Sequence, residues 1–173
     1  MERKINKYIM RIKDGDMSAF DQLYTETSKG VYFMALSVLK DRGLAEEIMQ
    51  ETYIRMLKNI DSFDDGKNAM NWLLTMAKNL AINLYNRNKR EIITDPSLVA
   101  PDVQYTMRDN GLIDMALKNL SQTEFNVLTL CELKGYKRRE VAQMLDMPIG
   151  TVTWHYNRAL KKLREILSKE ENS

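Results

Sequence analysis

Arg138-Arg139-Glu140-Val141-Ala142-Gln143-Met144-Leu145-Asp146-Met147-Pro148-Ile149-Gly150-Thr151-Val152-Thr153-Trp154-His155-Tyr156-Asn157-Arg158-Ala159-Leu160-Lys161-Lys162-Leu163-Arg164 is the stretch whose reading decides the fold. A short helix is expected over about 138–145, a turn at Asp146-Met147-Pro148, and a long helix from Ile149 to about Leu167. Ile149, Val152, Tyr156, Ala159, Leu163 and Ile166 recur every three or four residues and form the apolar face of that long helix. Trp154, Asn157, Arg158 and Lys161 fall on the opposite face. Two helices joined by a tight turn, the second long and basic, make a helix-turn-helix outline. Thr151 sits in the first turn of the long helix, where a hydroxyl and unpaired backbone N–H groups suit a phosphate. Asn and Arg side chains suit purine edges in the major groove, so the outward face is chemically fit to read duplex DNA.

Working upstream, Ser121-Gln122-Thr123-Glu124 has the spacing of a capping box and starts a helix carrying Phe125, Leu128 and Cys131, closed by Gly135 as its C′ residue. A helix before it, opening near Asp109, carries Leu112, Ile113, Ala116, Leu117 and Leu120. From Glu91 to Arg108 the character changes. This stretch holds two of the chain's three prolines, and its β-branched residues follow no helical period, so it is expected to be an extended, flexible linker.

The block before the linker reads as five helices. The first covers about 4–13, and Gly15-Asp16 separates it from a second with Phe20, Leu23 and Tyr24 on one face. A third carries Val31, Met34, Ala35, Val38 and Leu39 and breaks at Asp41-Arg42-Gly43. A fourth covers about 44–58, and a fifth covers about 69–88 with the stripe Trp72, Leu73, Met76, Ala77, Leu80 and Leu84. The expected fold is all-α: two small helical domains, 1–90 and 109–173, joined by a linker over 91–108.

The 173 residues include 26 Lys plus Arg and 24 Asp plus Glu, a net charge of +2 that conceals local segregation. Residues 134–164 hold eight basic and two acidic side chains, and residues 78–90 hold four basic and none acidic. Residues 41–65 hold seven acidic and three basic side chains. Each run is either a solvated helix face or a contact surface. Basic runs on two domains suit phosphate at two places, and an acidic helix, which DNA repels, suits a protein partner. The helix near 69–88 adds Trp72, Tyr85, Asn79, Asn83 and Asn86, a mixture that suits unstacked bases; Trp72 by itself is first read as core.

Other classes are poorly served. One Cys and one His allow neither an internal disulfide nor a zinc site nor a His-based triad, and Cys131 reads as a small core residue. There is no phosphate-binding Gly loop, no metal-ligand cluster and no nucleophile with a matched base, so no enzymatic activity, cofactor or metal is expected. Glu46, Glu47 and Glu51 have the oxygens for a metal, but acids at this spacing on a surface helix are usually just solvated. No apolar run is long enough to cross a bilayer, and Met1–Lys7 lacks the apolar centre of a signal peptide, so a cytoplasmic protein without membrane insertion is expected.

These residues together resemble bacterial RNA polymerase sigma factors of the extracytoplasmic-function (ECF) group over nearly the whole chain. Gly15-Asp16 with Ala19-Phe20 and Leu23-Tyr24 is similar to the family's opening. Ala45-Glu46-Glu47 with Gln50-Glu51 resembles its polymerase-binding helix, and Trp72-Leu73 with Ala77, Asn79 and Arg87 its promoter-melting helix. Leu120, Glu140-Val141-Ala142, Gly150-Thr151-Val152 and Arg158-Ala159 with Leu163 resemble its helix-turn-helix domain.

The resemblance implies a promoter-specificity factor without catalysis of its own. Its partners would be core RNA polymerase, promoter DNA and, as for many members, an anti-sigma factor. Glu46, Glu47, Gln50 and Glu51 would bind polymerase. Phe63, Trp72, Asn79, Asn83 and Arg87 would melt and read the minus-ten element, with Asn79 holding a base flipped from the non-template strand. Arg138, Thr151, Thr153, Trp154, His155, Asn157, Arg158 and Lys161 would read the minus-thirty-five element. The chain departs from the family pattern at Asn83, where an acid is common, at Lys137, usually a Ser or Thr N-cap, at Asp146, usually Gly, and at Thr153-Trp154-His155, usually a Lys/Ser/Arg-like trio. The alternative is a stand-alone helix-turn-helix regulator, which leaves the first block, with its acidic helix and its Asn- and Trp-bearing helix, without a task.

Overall fold

The computed structural model describes residues 2–94 and 111–170. Among them are eight α-helices, two short 3-10 turns and no strand. The first unit comprises α1 (Glu2–Lys13), α2 (Phe20–Leu39), α3 (Arg42–Lys58) and α4 (Ala69–Thr94). The second comprises α5 (Gly111–Asn119), α6 (Gln122–Glu132), α7 (Arg138–Met144) and α8 (Ile149–Glu170).

Local chemistry sets most of the boundaries. Lys40 takes a left-handed conformation (φ 58°) that ends α2, and the Asp41 carboxylate then accepts from Leu44 N at 2.8 Å to start α3. At Ser121 the capping box forms in both directions: Ser121 Oγ accepts from Glu124 N at 3.3 Å, and the Glu124 carboxylate accepts from Ser121 N at 2.9 Å. Gly135 (φ 67°) and Asp146 (φ 51°) supply the two left-handed turns that the helix-turn-helix path requires. Lys137 offers no side-chain cap, yet the Glu140 carboxylate accepts from its backbone N–H at 2.9 Å, so half of a capping box survives.

The structure corrects the sequence reading in two places. The second and third helices expected in the first block are one, α2, which passes unbroken through Gly30. A Cβ there would press on Met70 Cε, the flexible end of a side chain that can yield, and touch Leu130 Cδ2 at an ordinary 3.5 Å. Secondly, α4 runs to Thr94, so the first four residues assigned to the linker are helical; the rest of the linker, and residues 109–110, lie outside the described residues.

α6 goes beyond the sequence reading, which placed only Phe125, Leu128 and Cys131 on it. It is buried at every position from Glu124 to Leu130. α7 and α8 cover it within the second unit, while α2 of the first unit covers the other side. Val127 and Leu130 join the core cluster of Ile5, Ile9, Met70 and Leu73, and Phe33 packs edge-on to Phe125 with ring centroids 6.1 Å apart. Each fully buried side chain of this kind contributes about 1.5–3 kcal/mol. Polar contacts line the seam: Arg42 to Asp114 at 2.6 Å, Lys40 Nζ to Leu117 O at 3.1 Å, and Asn71 Nδ2 to Met144 O at 2.8 Å. Burial also pushes the Lys40 ammonium below its ordinary pKa.

Candidate nucleic-acid and polymerase interfaces

The apolar face of α8 buries Val152 and Ala159 and leaves the opposite side to solvent. Trp154 is 53% exposed, and Thr151, Asn157 and Lys161 are exposed beside it. Several cations of this region are already engaged. The Arg158 guanidinium lies 4.9 Å from the Trp154 ring centroid, and its Nε meets Glu124 Oε1 at 3.1 Å. Lys162 Nζ donates to Glu124 Oε2 at 2.7 Å. Burial pushes the Glu124 carboxyl up, but the hydrogen bonds from Lys162 and the Ser121 N–H outweigh it and hold its pKa below the ordinary value. Arg138 lies 4.4 Å from the Tyr156 ring, whose hydroxyl donates to Glu132.

Not every expected reading residue reaches the surface equally. Thr153 and His155 are half-buried. His155 Nδ1 is buried and has no hydrogen-bond partner among the described residues, and its ring sits edge-on to Trp154 with centroids 4.8 Å apart. His155 therefore seats Trp154 from below. Cys131 is half-buried, and burial pushes its thiol pKa up, as befits a packing residue.

In the first unit Asn79, Asn83 and Arg87 follow one another at four-residue spacing along α4, all exposed on one face. Asn79 and Asn83 make no side-chain hydrogen bond among the described residues, so their amides are available to a ligand. Trp72 is half-buried and packs on Phe63 with ring centroids 5.0 Å apart, and Phe63 is only 2% exposed. Phe63 in this arrangement anchors the loop over 61–68 instead of presenting a ring to a base. Two side chains that the sequence reading passed over, Asn6 and Lys13 of α1, bond to that loop across 48 to 63 residues of chain. No local pattern announces a contact of that length.

On α3, Glu46, Glu47 and Gln50 are exposed, while Glu51 is half-buried and takes Arg55 Nε at 2.9 Å. Beside this acidic face lies a groove of about 330 Å³ lined by Tyr24, Tyr32, Phe33 and Met49, with Glu46 and Gln50 on its rim. Burial pushes the Tyr32 phenol up, so it stays a neutral donor. Among the described residues no cluster of His, Cys, Asp or Glu has the makings of a metal site, and no helix is long and apolar enough to cross a membrane.

An outward face with a Trp, an Asn and basic residues on a helix-turn-helix, and an amide row on a separate helical unit, define a DNA-binding protein of transcription. Comparison with known proteins makes this specific. Residues 23–91 match Sigma-70 region 2 and residues 110–163 match Sigma-70, region 4. The chain is 29% identical to the ECF RNA polymerase sigma factor SigK of Mycobacterium tuberculosis, covering 94% of this chain and 93% of that protein. It is 27% identical to the ECF RNA polymerase sigma factor SigW of Bacillus subtilis, covering 96% and 98%. The fold is shared with the sigma factor RpoE of Bartonella quintana, solved in complex with the anti-sigma factor NepR: TM-score 0.64, 24% identity, 86% and 96% of the two chains. It is also shared with CnrH in complex with the cytosolic domain of CnrY: TM-score 0.67, 19% identity, 96% and 98%. The chain belongs to the extracytoplasmic-function group of sigma factors and is a promoter-specificity factor for RNA polymerase.

Proposed function

We propose that the two units divide the promoter between them. α8 enters the major groove of the minus-thirty-five element with Trp154, Asn157 and Lys161 toward the bases and phosphates, Arg138 and Thr151 meeting the backbone beside it. α4 and the 61–68 loop take the minus-ten element, where Asn79 and Asn83 bond to the edges of unpaired bases and Arg87 meets phosphate. The acidic face of α3 docks on core polymerase through Glu46, Glu47, Gln50 and Glu51. The protein acts in the cytoplasm as a binding factor and not as an enzyme, and an anti-sigma factor is its expected inhibitor, as RpoE and CnrH each have a partner in their solved complexes.

The observation that carries this reading is the presence, on separate units, of two exposed faces of different chemistry, one with Trp154, Asn157 and Lys161 and the other with Asn79, Asn83 and Arg87. A stand-alone duplex binder has no use for unpartnered amides on its other unit. The packed arrangement adds a condition. Twenty-five base pairs of B-DNA extend about 85 Å at 3.4 Å each, whereas a compact chain of 173 residues has a radius of gyration of only about 16 Å. The units must part before both elements are read at once.

Run-off transcription with core polymerase on a promoter library tests the reading. Transcription from a defined subset of promoters is the expected result, and charge reversal at Glu46 and Glu47 should abolish polymerase association without lowering the melting temperature. Specific duplex binding without polymerase, and no stimulation of core polymerase on any template, would favour the stand-alone regulator.

A further inference from the structure

The loop over 61–68 has little reason of its own to hold one shape. It carries Asp61, Asp64 and Asp65 within five residues, with Gly66 beside them, and like charges so close repel. Its internal hydrogen bonds are the Lys67 N–H to Asp64 O at 2.9 Å, the Gly66 N–H to Asp64 Oδ1 at 3.0 Å and the 3-10 turn that ends at Phe63. Phe63, packed on Trp72, ties the loop at one point, and α1 holds its two ends. Lys13 Nζ donates to two loop carbonyls, Asp61 O at 3.0 Å and Phe63 O at 2.9 Å. Seven residues earlier, Asn6 Nδ2 donates to Asp65 O at 3.2 Å and Lys67 O at 2.8 Å, while its Oδ1 accepts from Ala69 N, the first N–H of α4, at 3.0 Å.

We propose that Asn6 and Lys13 are positioning residues for minus-ten recognition: from α1 they clamp both ends of the 61–68 loop and fix which of its groups meet the unpaired strand. The proposal rests on the assignment of this loop and α4 to the minus-ten element. The two side chains lie two helical turns apart, about 10.5 Å along the α1 axis, so each serves a different end of the loop. Folding of α1 depends on other groups, because Ile5, Ile9 and Ile12 are buried at 0%, 0% and 4% exposure. Three of the five clamp bonds are exposed to solvent, where hydrogen bonds add little net stability, yet four of the five go to loop carbonyls and dictate their direction. Asn6 joins the loop to the first N–H of α4, beside Asn68, whose Oδ1 accepts from Asn71 N at 2.8 Å, so the clamp acts where the loop passes into the Asn79 helix.

The test is run-off transcription with core polymerase on bubble and duplex templates carrying all four bases at each melted position. Lys13→Met keeps the alkyl stem and removes both donors; Asn6→Asp keeps the acceptor for Ala69 N and removes the donors to Asp65 O and Lys67 O. Each variant should lower base discrimination at a minus-ten position by about tenfold, roughly one net hydrogen bond, with melting temperature and minus-thirty-five duplex binding unchanged. Lys13→Arg, which retains donors at that place, should restore discrimination. Asn79→Ala runs in parallel. If Asn79→Ala relaxes a base preference and neither clamp variant does, the clamp is structural only and this inference is wrong. If all three leave every base preference intact, the minus-ten assignment of the whole surface fails with it. If the clamp variants lose discrimination only in proportion to lost folding, the positioning role is likewise overturned.

Discussion

α4 and α8 both face nucleic acid, but they are prepared for it in opposite ways. Around α8 three basic side chains are held in advance: Arg158 between Glu124 and Trp154, Lys162 on Glu124, and Arg138 of α7 over Tyr156. On α4 the amides of Asn79 and Asn83 bond to nothing among the described residues, and the nearby order is in the loop clamped by α1. A duplex groove is already shaped, so a helix that enters it gains from fixed cations and loses little side-chain entropy on binding. A melted strand has no shape until it is held, so its reader needs hydrogen-bonding groups with open valences on a rigid base.

The largest expected effect tests the α4 half of this contrast. Asn79→Ala removes an amide with no structural task, so fold, polymerase binding and upstream duplex contact should be retained. Transcription on duplex templates should fall about tenfold or more, since an unpaired base edge in a protein pocket costs about 1–3 kcal/mol. A premade bubble should restore part of the activity but not the base preference. Equal activity of variant and wild type on every template would reduce Asn79 to a surface amide and erase the difference between the two helices.

Next in size is Glu124, the carboxylate on which the preparation of α8 rests. It is 2% exposed and serves Lys162, Arg158 and the Ser121 N–H together. Glu124→Ala should cost about 2 kcal/mol, a fall in melting temperature of about 4–8 °C for a chain of this size, and weaken duplex binding as well. The native pKa of Glu124 is depressed below its unfolded value. Its contribution is therefore present above the unfolded pKa of about 4.3 and lost as pH falls through the lower native value. A wild-type melting temperature that drops below about pH 4 more steeply than that of Glu124→Gln checks this sign.

The same contrast explains what could be read from sequence. The periodicity of α8, the capping box at Ser121 and the left-handed turn at Asp146 are local, and each is where the residues put it. The exposed row Asn79, Asn83, Arg87 follows from helical spacing alone. Phe63, which the resemblance alone sets among the minus-ten residues, packs on Trp72 and is 2% exposed, a pairing that no local pattern names. The burial of α6 on every side has no such local signal, because Asn126 and Thr129 are polar. Thr129 Oγ1 instead donates to its own backbone at Phe125 O, 2.9 Å away, and Asn126 donates to Met34 Sδ across the seam. Only the second unit's contact with α2 reveals that this face is dry. The α1 clamp is of the same kind, a pairing of distant residues with no periodic trace.

A smaller effect separates recognition from packing on α8. Trp154 is 53% exposed, with His155 edge-on to its ring and the Arg158 guanidinium 4.9 Å from its centroid. Trp154→Ala should leave stability within about 0.5 kcal/mol and change base preference at the minus-thirty-five element. A loss of the second unit's folding would show instead that the ring is part of the core, and the outward face of α8 would have to be redrawn around Asn157 and Lys161.

The smallest expected effect concerns the seam that holds the two readers together. Arg42 donates to Asp114 at 2.6 Å, and their side chains are 33% and 13% exposed, so the pair is only partly screened. The second oxygen of Asp114 is buried without a hydrogen-bond partner among the described residues, which leaves that carboxylate dependent on Arg42. Apolar contacts such as Phe33 on Phe125 supply most of the seam's cohesion and are untouched by Arg42→Ala. The variant should therefore change the closed-to-open balance by about 1 kcal/mol, roughly fivefold in population. Small-angle scattering should show a larger mean radius of gyration for the free protein, and proteases should cut faster between 95 and 110. Because α4 and α8 must separate to span a promoter, association with core polymerase should be slightly easier for the variant, while base preference at both elements stays unchanged. Arg42→Lys, which keeps the charge but loses the fork, should fall between the two. An unchanged radius and cutting rate would mean that the apolar seam alone sets the closed state. Altered base preference would mean that Arg42 acts on one reader directly and that the two faces are not independent.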